Sequence, residues 1–140
     1  MRLLISLLCC AVIGCSSGSP YDYEKVSGKI TYDDGSPIPA PALRLRFVAQ
    51  DAPQVDGAFP RPAFANVHEQ GEFDCVTSYK YGDGLIPGKH KVSIEREGLP
   101  DARPPVPKEY LSINTTPLVI DTEDAPLEIK VPKPQAARRP

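Results

Sequence analysis

An all-β, antiparallel sandwich of seven short strands is what this sequence predicts, and three observations predict it. Apolar residues recur with period two. Leu43, Leu45 and Phe47 alternate with Arg44 and Arg46, and Leu127, Ile129 and Val131 alternate with Glu128 and Lys130. His90, Val92 and Ile94 share one face of a third run, with Lys89, Lys91, Ser93 and Glu95 on the other. Such alternation describes half-buried strands. Prolines number 17 and glycines 10, and each proline removes a backbone donor and clashes with the preceding helical turn. Turn signals such as Pro87-Gly88 separate the runs at short intervals, with no helical period between them.

Taken in order, the chain opens on an address. Arg2 supplies a positive charge and residues 3–13 are almost unbroken apolar sequence. That run is too short for a bilayer, which takes about 20 residues, but it fits a secretory leader. It closes with Val12-Ile13-Gly14-Cys15, which resembles the bacterial lipobox. Lipidation needs a thiol at the first mature position and a small residue before the cut, and Cys15 and Gly14 supply them. An ordinary leader with an incidental cysteine, or an uncleaved anchor, are the alternatives. The expected organisation is a lipoprotein signal peptide over residues 1–14 and a flexible, lipidated tether over 15–25. A sandwich domain over 26–131 and a disordered, proline-and-arginine tail over 132–140 follow. Acyl chains contribute about 0.8 kcal/mol per buried methylene, so several on Cys15 would hold the protein to a membrane.

Val26, Ile30 and Tyr32 share the inward parity of the first strand, and Asp33-Asp34-Gly35-Ser36-Pro37 turns the chain. The second strand carries the Leu43–Phe47 alternation. Residues 50–62 form a long loop with Pro53, Pro60 and Pro62, and loops of that length are functional or loosely ordered. A short strand over residues 64–68 turns at Gly71 into another over 72–77, where Phe73 and Cys75 take the inward parity. Residues 79–84, Tyr-Lys-Tyr-Gly-Asp-Gly, lead to the His90–Ile94 strand. A second proline-rich loop covers residues 98–108, and strands over 118–122 and 127–131 complete the seven.

The motifs in this order resemble one small sandwich family. Val26-Ser27-Gly28-Lys29-Ile30 with Asp34-Gly35-Ser36-Pro37-Ile38 is similar to the opening of carboxypeptidase-regulatory-like, or transthyretin-like, domains. Gly71-x-Phe73 and Ile86-Pro87-Gly88-Lys89-x-x-Val92 look like that family's later signatures, with His90 where tyrosine is common. With the lipobox, and with Val106-Pro107-Lys108-Glu109-Tyr110 before Thr116-Pro117-Leu118, the chain resembles small bacterial lipoproteins. The resemblance implies a seven-stranded, Greek-key, prealbumin-like sandwich and no catalytic residues to carry over.

Charge and chemistry narrow the function classes. The net charge is −2, which provides no basic field for nucleic acid. Cys9 and Cys10 fall in the leader and Cys15 is the anchor, so Cys75 is the one cysteine left to the domain. On its inward parity Cys75 reads as a small hydrophobe rather than a nucleophile. His68 and His90 lack the close spacing of metal ligands, and His90 reads as a half-buried side chain bonded to a loop carbonyl. Asp33, Asp34, Asp121, Glu123 and Asp124 lie in turns, where calcium is one reading and simple solvation the other. Tyr79 and Tyr81 flank Lys80 as a candidate aromatic platform for a sugar face, with one tyrosine buried in an edge strand as the alternative.

The expected function is a non-catalytic, lipid-anchored interaction or structural module at the bacterial cell envelope. A carbohydrate-binding module using Tyr79 and Tyr81 with the long loops is the alternative, and a transthyretin-like enzyme the third class. Neither cofactor nor metal is expected. The partners would be the membrane, through Cys15, and an envelope protein or polysaccharide. Tyr79, Tyr81, His90 and Tyr110 are the candidate ligand contacts.

Overall fold

The computed structural model describes residues 18–39, 42–96 and 103–135. The expected leader and its Gly14-Cys15 junction lie outside the described residues, as do the first half of the 98–108 loop and residues 136–140 of the tail. What is described is all-β, in two sheets with almost no helix. The strands are β1 Gly28–Tyr32, β2 Leu43–Ala49, β3 Ala63–Asn66, β4 Glu72–Phe73, β5 Val76–Thr77, β6 Lys89–Arg96, β7 Val119–Asp121 and β8 Leu127–Val131. One sheet has the order β5-β3-β2-β6-β7 and the other β4-β1-β8.

The core lies between the sheets and follows the period-two pattern. Leu45, Phe47, Val92, Ile94 and Ile129, each on the apolar parity of its strand, are all buried. Phe47 of β2 meets Phe73 of β4 with ring centroids 6.1 Å apart, so one aromatic pair joins the two sheets. The outer face of β2 and β6 is charged, and Arg44 Nη2 donates to Glu95 Oε2 at 2.7 Å across the ladder.

Two expectations are corrected. The strands number eight rather than seven, because the single strand expected over residues 72–77 is broken. Phe73 pairs with Gly28 in the small sheet, whereas Val76 pairs with Ala65 in the large one. Both side chains are buried, yet positions three apart point to opposite faces of a continuous strand. Changing sheets at Asp74-Cys75 turns both inward. The crossing leaves Cys75 half-buried rather than in the core its parity indicated.

The second correction concerns direction. The pairs are not all antiparallel, since β1 and β8 run parallel over five residues, from Gly28↔Leu127 to Tyr32↔Val131. At Gly28 the three strands of the small sheet crowd together. A Cβ there would lie 2.4 Å from the Leu127 carbonyl oxygen and 2.7 Å from the Phe73 ring.

The described parts of the proline-rich loops are also more ordered than their composition indicated. Asp56 and Gly57 both have positive φ, 48° and 78°, and Val55 and Ala58 exchange two backbone hydrogen bonds around them. This is the two-residue turn that Asp-Gly favours. Beyond residue 102, Pro105 and Val106 are buried, and the Tyr32 hydroxyl donates to the Pro105 carbonyl at 2.7 Å. That half of the 98–108 loop belongs to the core. The tail stays against the body as far as Gln135, where Lys133 pairs with Asp34 and Arg103 donates to the Gln135 carbonyl.

Candidate functional site: a loop cluster at one end of the sandwich

Because β2 is antiparallel to both β3 and β6, it ends where both of them begin. The 50–62 loop and the 78–88 loop therefore leave the same end of the large sheet, and Gln50 N donates to the Lys89 carbonyl at 2.9 Å between their bases. The N-terminal segment arrives at this end too. Glu24 and Leu85 exchange backbone hydrogen bonds of 2.8 and 3.0 Å, and the Tyr21 hydroxyl lies 2.8 Å from the carbonyls of both Pro53 and Ala58. Ser19 Oγ meets the Tyr23 hydroxyl at 2.8 Å. Of the segment expected as a flexible tether, the part from Tyr21 onward is thus hydrogen-bonded to the domain.

Asp83 organises the 78–88 loop. Its Oδ1 accepts from Ser78 N, and its Oδ2 from Tyr79 N and Lys80 N, at 2.7–2.9 Å. Partial burial pushes the Asp83 carboxyl up, but those backbone donors outweigh it and hold the carboxyl below its ordinary value. Ser78 Oγ donates to the Gly84 carbonyl at 2.6 Å and Gly82 N to Thr77 Oγ1 at 3.0 Å. Most backbone N–H groups of the loop are thus paired, so the residues at the tip are presented from a braced turn. Tyr81 is 89% exposed there. Tyr79 is 37% exposed, with the Arg61 guanidinium 4.8 Å from its ring centroid. Phe59, next to the Ala58 that Tyr21 holds, is 73% exposed.

Beneath Tyr81 lies a cleft of about 310 Å³ lined by Lys25, Val26, Asp74, Cys75, Val76, Tyr81, Gly82 and Gly84. The Cys75 thiol beside the Tyr81 hydroxyl holds the phenol's pKa above its ordinary value. A second hollow, of about 380 Å³, includes His68, Glu72, Asp74 and Glu128 at the small sheet. His68 Nε2 approaches Asp74 Oδ1 at 3.3 Å with both side chains largely in solvent.

The four candidate contacts are not gathered into one site. Tyr79 and Tyr81 belong to the loop cluster. His90 is only 3% exposed on β6, with Nδ1 3.1 Å from the Gly88 carbonyl. Tyr110 sits on the 3-10 turn Lys108–Leu111, partly buried against the core. The turn carboxylates do not converge either. Asp34 is engaged by Lys133 and Ser36, which hold its carboxyl well below the usual range. Asp121 Oδ1 accepts from Glu123 N. Among the described residues no three His, Cys, Asp or Glu side chains are grouped to hold a metal ion. Sequence reasoning missed Asp83, Arg61 and Phe59, although Asp83-Gly84 is itself a turn signal.

Burial lowers the His90 pKa, while the Gly88 carbonyl and the charges of Asp121 and Glu24 oppose the shift. The folded state therefore binds fewer protons here than the unfolded chain. Stability from neutral His90 is complete above the unfolded pKa of about 6.5 and is lost as pH falls through it toward the depressed folded value. Thermal melts from pH 7 to pH 5 should show a smaller loss of Tm for His90→Leu than for the parent.

Comparison with protein-family models, curated proteins and solved structures found no match.

Proposed function

We propose that this chain is a non-catalytic, lipid-anchored interaction module of the bacterial cell envelope, exported and acylated at Cys15, with a transthyretin-like sandwich as its body. One observation carries the reading. The chain enters the sandwich directly downstream of Gly14-Cys15, and it enters at the end where the braced loops are clustered. An anchor at Cys15 would therefore hold a defined end of the domain near the lipid, and the opposite end would face outward toward an envelope partner. The partners of the two histidines support the non-catalytic half. His68 meets Asp74, and His90 is buried on β6 with Nδ1 at the Gly88 carbonyl, so among the described residues neither is hydrogen-bonded to a hydroxyl or thiol nucleophile.

The test is the fate of Cys15→Ser in the producing cell. It is expected to release the protein to the soluble fraction or to leave the precursor uncleaved. Normal processing with unchanged membrane partitioning would overturn the anchor.

A further inference from the structure

Three of the four large hydrophobic side chains that the described surface exposes, Phe59, Tyr79 and Tyr81, stand on the two loops that the N-terminal segment is strapped to. Two facts fix how far these loops can lie from an anchor. The strap is secured to the domain at Tyr21. From Cys15 to Tyr21 the chain is six residues, which span at most about 20 Å even when fully extended. Tyr21 is bonded to Ala58, the neighbour of Phe59. A bilayer holding Cys15 would therefore always be within short reach of this end.

We infer that the end of the sandwich carrying Phe59 and Tyr81 docks on the lipid surface itself, with the two rings in the headgroup boundary. The inference rests on the anchor proposed at Cys15. Aromatic rings with one apolar body suit that boundary, where they seat in the interface plane. The loops are suited to it as well. The Asp83 carboxylate and the Val55–Ala58 turn hold the tips in place before contact, so little ordering remains to oppose docking.

Charge does not carry the contact. Lys25, Arg61 and Lys80 are exposed at this end, but so are Asp22, Glu24, Asp56 and Asp74. Docking should therefore persist in about 0.5 M salt, where the attraction of exposed charges to anionic lipid is screened. It also leaves the far end, with the 67–71 turn, the 33–36 turn and the Lys133 pair, as the surface open to a partner.

The chain has no tryptophan, so one introduced indole reports its own surroundings. The full acylated protein, as Phe59→Trp, as Tyr81→Trp and as Gln70→Trp, would be reconstituted into vesicles of phosphatidylethanolamine and phosphatidylglycerol. Gln70 is exposed in the turn at the opposite end and serves as the control. With brominated acyl chains in the vesicles, the Phe59→Trp and Tyr81→Trp proteins should lose about half or more of their emission, because a docked ring sits about 5–10 Å into the boundary. The Gln70→Trp protein should keep its emission. Flotation of the same vesicles reports the anchor separately. Protein that floats with quenching absent at both loop positions overturns the docking and leaves the anchor standing. Protein that does not float overturns the anchor. Equal quenching at all three positions would also overturn the docking, since the domain would then have no preferred face. Retention of the parent on insoluble polysaccharide that Tyr81→Ala abolishes, together with absent quenching, would assign the rings to a sugar instead.

Discussion

Phe47→Ala is expected to lower the stability of the domain by about 3–5 kcal/mol, a large part of the ~5–15 kcal/mol that a domain of this size has. Phe47 is fully buried on β2, and its ring is the partner of Phe73 from the opposite sheet. Removing it leaves a cavity at the point where the two sheets touch, and neither backbone can close on it without disturbing the ladders to β3 and β6. Arg46→Ala provides the contrast. Arg46 is one residue away on the outer face, its side chain 36% exposed and 3.9 Å from Glu95, and its loss should cost under about 1 kcal/mol. Urea unfolding of both variants checks the pair, and equal shifts of the midpoint would mean that β2 does not present Phe47 to the core.

Gly84→Ala should be the most costly change in the loop cluster, at roughly 2–4 kcal/mol. Gly84 has φ of 102°, and a Cβ on it would lie 1.8 Å from the Glu24 carbonyl oxygen and 2.5 Å from the carbonyl carbon. Those are backbone atoms, so no rotamer change relieves the overlap. The Glu24–Leu85 bridge must open and the strap with it. Gly35→Ala separates the two causes. Gly35 also has positive φ, 84°, but has nothing within 4 Å of its would-be Cβ, so it should show only the backbone penalty of about 1 kcal/mol. Thermal melts rank the two, and limited proteolysis should cut Gly84→Ala between residues 19 and 27 where the parent resists. Equal melting temperatures would show that the strap contributes nothing to the fold.

The strands that were legible in the sequence are those whose two faces differ. In β2 and β8 every second residue is apolar, and in β6 Val92 and Ile94 are, because one face meets the core and the other meets water, and burial follows that parity at Leu45, Phe47, Val92, Ile94, Leu127 and Ile129. Ser93 departs from it. It lies on the polar parity yet is 2% exposed, since the Lys108–Leu111 turn, distant in sequence, packs on β6. His90 was expected half-buried against a loop carbonyl; the carbonyl is that of Gly88, but the side chain is fully rather than half buried.

The candidate site was legible only in part. Tyr79 and Tyr81 stood out as aromatics in a glycine-rich connection. Nothing local in the sequence tied them to Phe59, Arg61 or Tyr21, because those contacts span loops that only the strand order brings to one end. His90 and Tyr110 were candidates by residue type alone, and burial removes His90 from the surface.

By itself, then, the sequence determined the local alternation, the turns and the all-β class, since each depends on neighbours within a few residues. Only the tertiary structure decided the sheet change between Phe73 and Val76, the parallel partnership of β1 with β8, and the strapping of residues 21–24 to two distant loops. Those outcomes depend on which buried side chains meet across the core and on hydrogen bonds between residues up to 100 apart, as where Leu127 N donates to the Ser27 carbonyl beside the β1 and β8 ladder. Pairing at that separation is decided by the summed fit of the whole chain, and a period-two pattern is the same whichever neighbour a strand finds.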